Sequence, residues 1–203
     1  MKQRVKVIGI AGGIASGKST TAKMLESLGA NIIDADKICH RLINTKDIVQ
    51  KITDRWGDHL KDEHGKIERH KLGKIVFADK KELSALNKII HPKVINRIKS
   101  RIANLKDKAT AKAIVLDAAL LVESNLIDIC DIMLFVNTKK STCKTRVQKS
   151  RKWPLDEITK REKFQDSLRR KREIADIVIN NNQSQADTLK QVKDFWRQFI
   201  TKK

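Results

Sequence analysis

A chain of 203 residues, 40% hydrophobic and 33% charged, can bury one sizeable core and is too short for two unrelated domains. It has no Pro-rich or Ser-rich tract, no internal repeat and no window near the roughly 18 apolar residues of a membrane span, which excludes disordered, repetitive and helical membrane classes. Lysine and arginine number 44 against 24 acidic residues, and the net charge of +20 points to an anionic partner.

The start, MKQRVKVIGIAGG, reads as a buried strand rather than a signal peptide, because Lys6 and the glycines interrupt its apolar run. Cys39, Cys130 and Cys143 are far apart and odd in number, so no disulfide framework or C-x-x-C site is expected, and a cytoplasmic protein is. RVKVIGI (4–10) is the first of five apolar segments that read as buried parallel strands; NIID (31–34), KAIVLD (112–117), DIMLFV (131–136) and ADIVIN (175–180) follow. Helical patterns between them predict an α/β fold.

Directly after the first strand comes Gly12-x-x-x-x-Gly17-Lys18-Ser19, a full phosphate-binding loop pattern opening a helix. Glycines let backbone N–H groups converge on phosphates, and a helix N-terminus favours their charge. Lys18 supplies a cation for the β- and γ-phosphates and Ser19 a hydroxyl for Mg²⁺. The pattern specifies a nucleoside triphosphate and leaves the acceptor open.

The second strand runs into IIDADKI, which puts Asp34 and Asp36 at a carboxyl end, where open α/β sheets face their ligands. Either carboxylate suits proton abstraction from a hydroxyl or a water-mediated hold on Mg²⁺. Alternatively, Asp36 caps a helix beginning at Lys37. Residues 39–111 then form a helical insertion, with DIVQKITDRWG and LSALNKII as its clearest periodic segments and a break expected at His91-Pro92.

The third strand ends at Asp117, a Walker-B-like position within reach of a metal, while Glu123 reads equally well as a solvated loop residue. After the fourth strand, residues 139–172 carry fourteen Lys or Arg against four Asp or Glu, in two helices joined at Trp153-Pro154. Arg146, Arg151 and Arg161 suit bidentate contacts with a transferring phosphoryl group, and the lysines around them read mostly as a solvated face. In the last helix, Leu189, Val192, Trp196 and Phe199 recur at helical spacing and should face the sheet. The five histidines have no metal-ligand spacing, and Trp56, Trp153 and Trp196 read as packing residues.

In chain order, GIAGGIASGKST, LGANIIDADKI, IIHPKV, IVLDAALLVES, RVQKSRKWPLDEITKREKFQ and ADIVINNN resemble the dephospho-CoA kinase family over nearly the whole chain. The resemblance implies a P-loop kinase with a five-stranded parallel sheet flanked by helices, a helical substrate-binding insertion and a basic helical lid. Its nucleotide-binding core would be 1–38, 112–138 and 173–203, its coenzyme A domain 39–111 and its lid 139–172. It implies ATP as phosphoryl donor, Mg²⁺, and dephospho-CoA as the acceptor phosphorylated at its ribose 3′-hydroxyl, with no membrane or specific nucleic-acid partner.

Carried onto this sequence, Gly12, Gly13, Ile14, Ala15, Ser16, Gly17, Lys18, Ser19 and Thr20 would hold ATP together with Arg146 and Arg151. Asp36 would be the base, with Lys18 and Arg146 neutralising charge. Asp34, Asp36, His91, Asp117, Leu120 and Arg161 would serve the acceptor, and Ser19 the metal, with Asp34, Asp36 or Asp117 through water. The chain departs from the family at Ala118-Ala119, at Lys152, around Asp166-Ser167, and at Ala15, where the family often has glycine and an alanine must fit the loop with a negative φ. Two rival readings are a nucleoside monophosphate kinase, which shares the loop and lid, and a basic nucleic-acid-binding protein, which no recognition motif supports.

Overall fold

Apolar runs without polar alternation belong to strands covered on both faces. The computed structural model describes residues 4–107, 111–118, 121–122, 126–151 and 167–201, with the side chains of 149–151 left aside. Leu120, Glu123, Lys152, Trp153-Pro154, Arg161 and Asp166 lie outside the described residues, as does the side chain of Arg151.

Five strands, β1 (Lys6–Gly12), β2 (Ala30–Asp34), β3 (Ala113–Asp117), β4 (Ile132–Asn137) and β5 (Ile177–Asn180), form one parallel sheet in the order β2-β3-β1-β4-β5. This is the predicted sheet. Residues Ala113, Ile114, Val115 and Leu116 of β3 are wholly buried, as an inner strand requires, whereas the edge strand β5 exposes Val178. Asp131 clips β4 to β1, accepting from the Val7 N–H at 2.8 Å while its own N–H donates to the Val7 carbonyl at 2.7 Å. Asp176 does the same for Met133, at 2.7 and 2.9 Å.

From β1 the chain passes through α1 (Lys18–Ser27) to β2 on one side of the sheet; after β3 it crosses to β4 and β5 on the other. The carboxyl end of β1 therefore lies where the strand order reverses, the place where such sheets hold ligands. Buried Ala22, Met24 and Leu25 of α1 meet Ile8, Leu134 and Val136 in the core. Helices α6 (Lys140–Arg151), α7 (Leu168–Glu173) and α8 (Gln185–Trp196) follow in the same compact unit, which comprises Met1–Asp34 and Lys99–Lys203. As the spacing predicts, Val192 and Trp196 of α8 are buried, with Leu189 and Phe199 packed against them.

The second unit, Ala35–Ile98, contains α2 (Ala35–Leu42), α3 (Lys46–Trp56), α4 (Arg69–Val76) and α5 (Lys80–Asp107) as far as Ile98. Ile48, Ile52, Leu60 and Leu72 are buried within it. Trp56 is half-buried, and its indole N–H donates to Glu82 at 2.7 Å, beside the bidentate Arg55–Glu82 pair at 2.9 and 3.0 Å.

The break expected at His91-Pro92 does not occur, since α5 continues through Pro92 for 28 residues in all. Proline removes one hydrogen bond and crowds the preceding turn, at a cost of about 3 kcal/mol. Here Pro92 is exposed, while Ile90, Val94 and Ile98, four residues apart, are buried on either side of it. Burial of such side chains contributes about 1.5–3 kcal/mol each and outweighs the local defect.

No helix among the described residues is long and apolar enough to cross a membrane. The helix α8 starts with a reciprocal capping box: the Ser184 hydroxyl accepts from the Asp187 N–H at 3.1 Å, and the Asp187 carboxylate accepts from the Ser184 N–H at 3.2 Å. Ser184→Ala is expected to lower stability by about 1 kcal/mol, measured by denaturant unfolding.

Candidate active site

The glycine-rich loop joins β1 to α1, and its conformation explains its composition. Gly17 has φ +100°, and a Cβ there would lie 2.2 Å from Asn181 Nδ2, so only glycine fits. Ala15 also lies in the left-handed region, at φ +56°, which corrects the negative φ expected for it. Alternating right- and left-handed residues turn successive N–H groups toward one side, and a loop that does so must hold Ala15 there despite its Cβ. The strain is of the kind stored at functional sites.

No side chain caps α1, and its first turn contains no acidic residue. Its leading N–H groups have no intrahelical acceptors and carry the positive end of the helix dipole. Lys18 is half-buried, with its ammonium donating to the carbonyls of Gly12 at 3.1 Å and Gly13 at 2.8 Å. Ser19 and Thr20, next along, are exposed. This geometry, with convergent donors, a cation and a hydroxyl at a helix start, suits a polyphosphate.

Carbonyls on the other side of the loop are held by partners from later in the chain. The Ser16 oxygen accepts from Thr138 Oγ1 at 2.7 Å, Asn181 Nδ2 at 2.7 Å and Arg146 Nη1 at 3.3 Å. Arg146 also reaches the Ala15 carbonyl at 3.5 Å and the Asn181 carbonyl at 3.4 Å. The structure thus places Arg146 on the loop's backbone. Asn181 lies in ADIVINNN, one of the segments that carry the family resemblance, and Thr138 in none; neither is singled out as a site residue by the sequence, although both sit just beyond carboxyl ends of strands.

Asp34 and Asp117 end adjacent strands in direct register, and both are half-buried. Asp117 is also in register with Ile10 of β1, two residues before the loop. The sheet therefore brings together the loop, Arg146 and these two carboxylates. Asp36 and His91 belong to the other unit. The helix α2 begins at Ala35, so Asp36, exposed, stands inside the first turn rather than capping a helix from Lys37.

Beside the loop a cleft of about 510 Å³ is lined by Gly13, Ser16, Thr138, Cys143, Leu168 and Arg172, among others. Leu168 packs over the loop: a Cβ on Gly13 would lie 3.2 Å from it. The thiols of Cys39 and Cys130 are half-buried. Burial first, then the nearby Asp36 charge, pushes Cys39 up to about 11, and burial with Asp131 and Asp128 pushes Cys130 up to about 12. Among the described residues no three His, Cys, Asp or Glu side chains form a metal cluster.

Burial lowers the His91 pKa below its ordinary 6.5. A histidine held neutral contributes stability that is present above pH 6.5 and is lost as pH falls through the folded-state value. Stability should therefore decline on acidification below about pH 6.5, and His91→Gln should flatten that decline in denaturation measured across pH. At Ala15, glycine relieves about 1–2 kcal/mol of left-handed strain and adds about 0.4–1 kcal/mol of unfolded-chain entropy. Ala15→Gly is accordingly expected to unfold at an equal or higher denaturant midpoint than wild type, and Ala15→Val at a lower one.

Comparison with known proteins agrees with this geometry. The family model described as "Dephospho-CoA kinase" matches residues 6–187. A Fusobacterium nucleatum dephospho-CoA kinase is 39% identical over 94% of this chain and 97% of its own length. One from Thermobifida fusca is 34% identical over 94% of each chain. Among solved structures, a Thermus thermophilus protein superposes with TM-score 0.82 at 25% identity, covering 97% of this chain and 99% of its own. Dephospho-CoA kinase from Campylobacter jejuni superposes with TM-score 0.70 at 26% identity over 96% of each chain. The fold extends to shikimate kinase from Acinetobacter baumannii, with TM-score 0.54 and 17% identity, over 95% of this chain and 92% of that one. With the match running from β1 to the first turn of α8, the chain belongs to the dephospho-CoA kinase family.

Proposed function

We propose that the chain transfers the γ-phosphoryl group of ATP to the ribose 3′-hydroxyl of dephospho-coenzyme A, giving coenzyme A and ADP. The observation that carries this is the family match over residues 6–187, which includes DADKI and the helix bearing His91 as well as the generic phosphate loop.

In this reading the N–H groups of the loop and of the first turn of α1 bind the phosphates, from Gly12 to Thr20. Lys18 leaves the loop carbonyls for the β- and γ-phosphates, and Arg146, with Arg151 and Arg161, adds charge during transfer. The transition state is loose, so positioning and charge neutralisation provide most of the acceleration. Asp36 takes the proton of the 3′-hydroxyl. The cleft beside Gly13 receives the adenosine end of ATP. The helical unit, with His91, holds the coenzyme A portion, and Leu120 is assigned to acceptor binding. The basic stretch closes as a lid and keeps water from competing with the acceptor.

The residues fit Mg²⁺: a hydroxyl at Ser19 and two registered carboxylates, Asp34 and Asp117, are hard oxygen donors. A magnesium ion takes its remaining ligands from phosphates and water, so a site without three clustered protein ligands suits it. Held there, the ion would supply neutralisation of phosphate charge.

Incubation with ATP, Mg²⁺ and a panel of acceptors tests the proposal. Coenzyme A formed from dephospho-CoA, with nucleoside monophosphates inert, is the expected result; the reverse pattern overturns it. Lys18→Ala and Asp36→Asn should each lower kcat by about 10²–10⁴. If Asp36→Asn turns over at near the wild-type rate, Asp36 is a structural residue of α2 and not the base.

A further inference from the structure

In a trans peptide the carbonyl and the following N–H point in opposite directions, and no cis peptide occurs among the described residues. The direction of the Gly17 N–H is therefore set by whatever holds the Ser16 carbonyl. That oxygen has two lone pairs, and its two short bonds, both at 2.7 Å, come from Thr138 and Asn181. Arg146, at 3.3 Å, is the longer, auxiliary donor.

We infer that Asn181 is a positioning residue for phosphoryl transfer: its side-chain amide holds the Ser16 carbonyl outward and so aims the Gly17 N–H at the bound phosphates. Three features fix the amide. The Ser16 carbonyl can only accept, so Nδ2 must face it and Oδ1 must face Thr188, whose hydroxyl lies 2.9 Å away and supplies the proton. The Asn181 backbone N–H is tied to the Asn137 carbonyl at 2.8 Å, and the residue is 7% exposed, its Nδ2 lying 2.2 Å from where a Cβ on Gly17 would be. Thr188 stands in the first turns of α8, so the C-terminal helix orients a peptide of the phosphate loop through two side chains.

The inference rests on the loop holding ATP, and its test separates the two. Wild-type turnover of dephospho-CoA tests the activity alone. Asn181→Asp keeps an acceptor for Thr188 but turns a carboxylate oxygen toward the Ser16 carbonyl. The Kd for ADP and the KM for ATP should rise about tenfold or more, the scale of a lost charge-assisted hydrogen bond, while the KM for dephospho-CoA stays within about twofold. Thr188→Val removes the orienting hydroxyl, along with its longer contact to the Ser184 carbonyl at 3.2 Å, and should shift the same two constants in the same direction by a smaller factor. Variants in which both KM values are unchanged and kcat follows the folded fraction, or in which both rise together, overturn the inference. Should neither variant fold, the wild-type Gly17 amide decides: its proton resonance should move downfield on addition of ADP, and an unmoved resonance rejects the role.

Discussion

Backbone N–H groups can converge on one anion only if their carbonyls turn the other way, and a carbonyl turned into the protein must find a donor there. That constraint organises this molecule. The outward side of the loop is met by Thr138 from beyond β4, Asn181 from beyond β5 and Arg146 from α6. Each arrives because the strand order puts the carboxyl ends of β1, β4 and β5 side by side. The glycine pattern supplies the freedom to form such a loop; the sheet and its followers supply the donors that keep it formed. Lys18 completes the arrangement by bonding to the first two glycines of the same segment.

The same sheet order places Asp34 and Asp117 in register next to β1. Two carboxylates near bound phosphates would repel them, and a cation such as the Mg²⁺ proposed above would offset that repulsion. Chemistry on a hydroxyl acceptor requires little more from the protein than a base, charge neutralisation and exclusion of water.

The strands were legible in the sequence because parallel strands buried on both faces read as uninterrupted apolar runs, and all five fall within two residues of their expected limits. The phosphate loop was legible because its residue types are dictated one by one. Pro92 misled because local propensity ignores flanking burial: Ile90, Val94 and Ile98 hold the helix across it. Ala15 misled because a side chain argues for negative φ, whereas the loop's need to turn its N–H groups prevails. Thr138 and Asn181 were not legible as site residues, since their partner is a main-chain carbonyl more than a hundred residues away in sequence, and an asparagine after a strand reads equally well as a turn.

Everything in this fold converges on a loop that delivers phosphate to one particular hydroxyl. Phosphorus NMR of the product formed from dephospho-CoA and ATP, correlating the new phosphate with the ribose protons, tests it most directly. Coupling of the new phosphorus to the 3′ proton, with ADP released in equal amount, is the predicted result. Phosphate attached at the 2′ oxygen, or ADP released with dephospho-CoA unchanged, would contradict it.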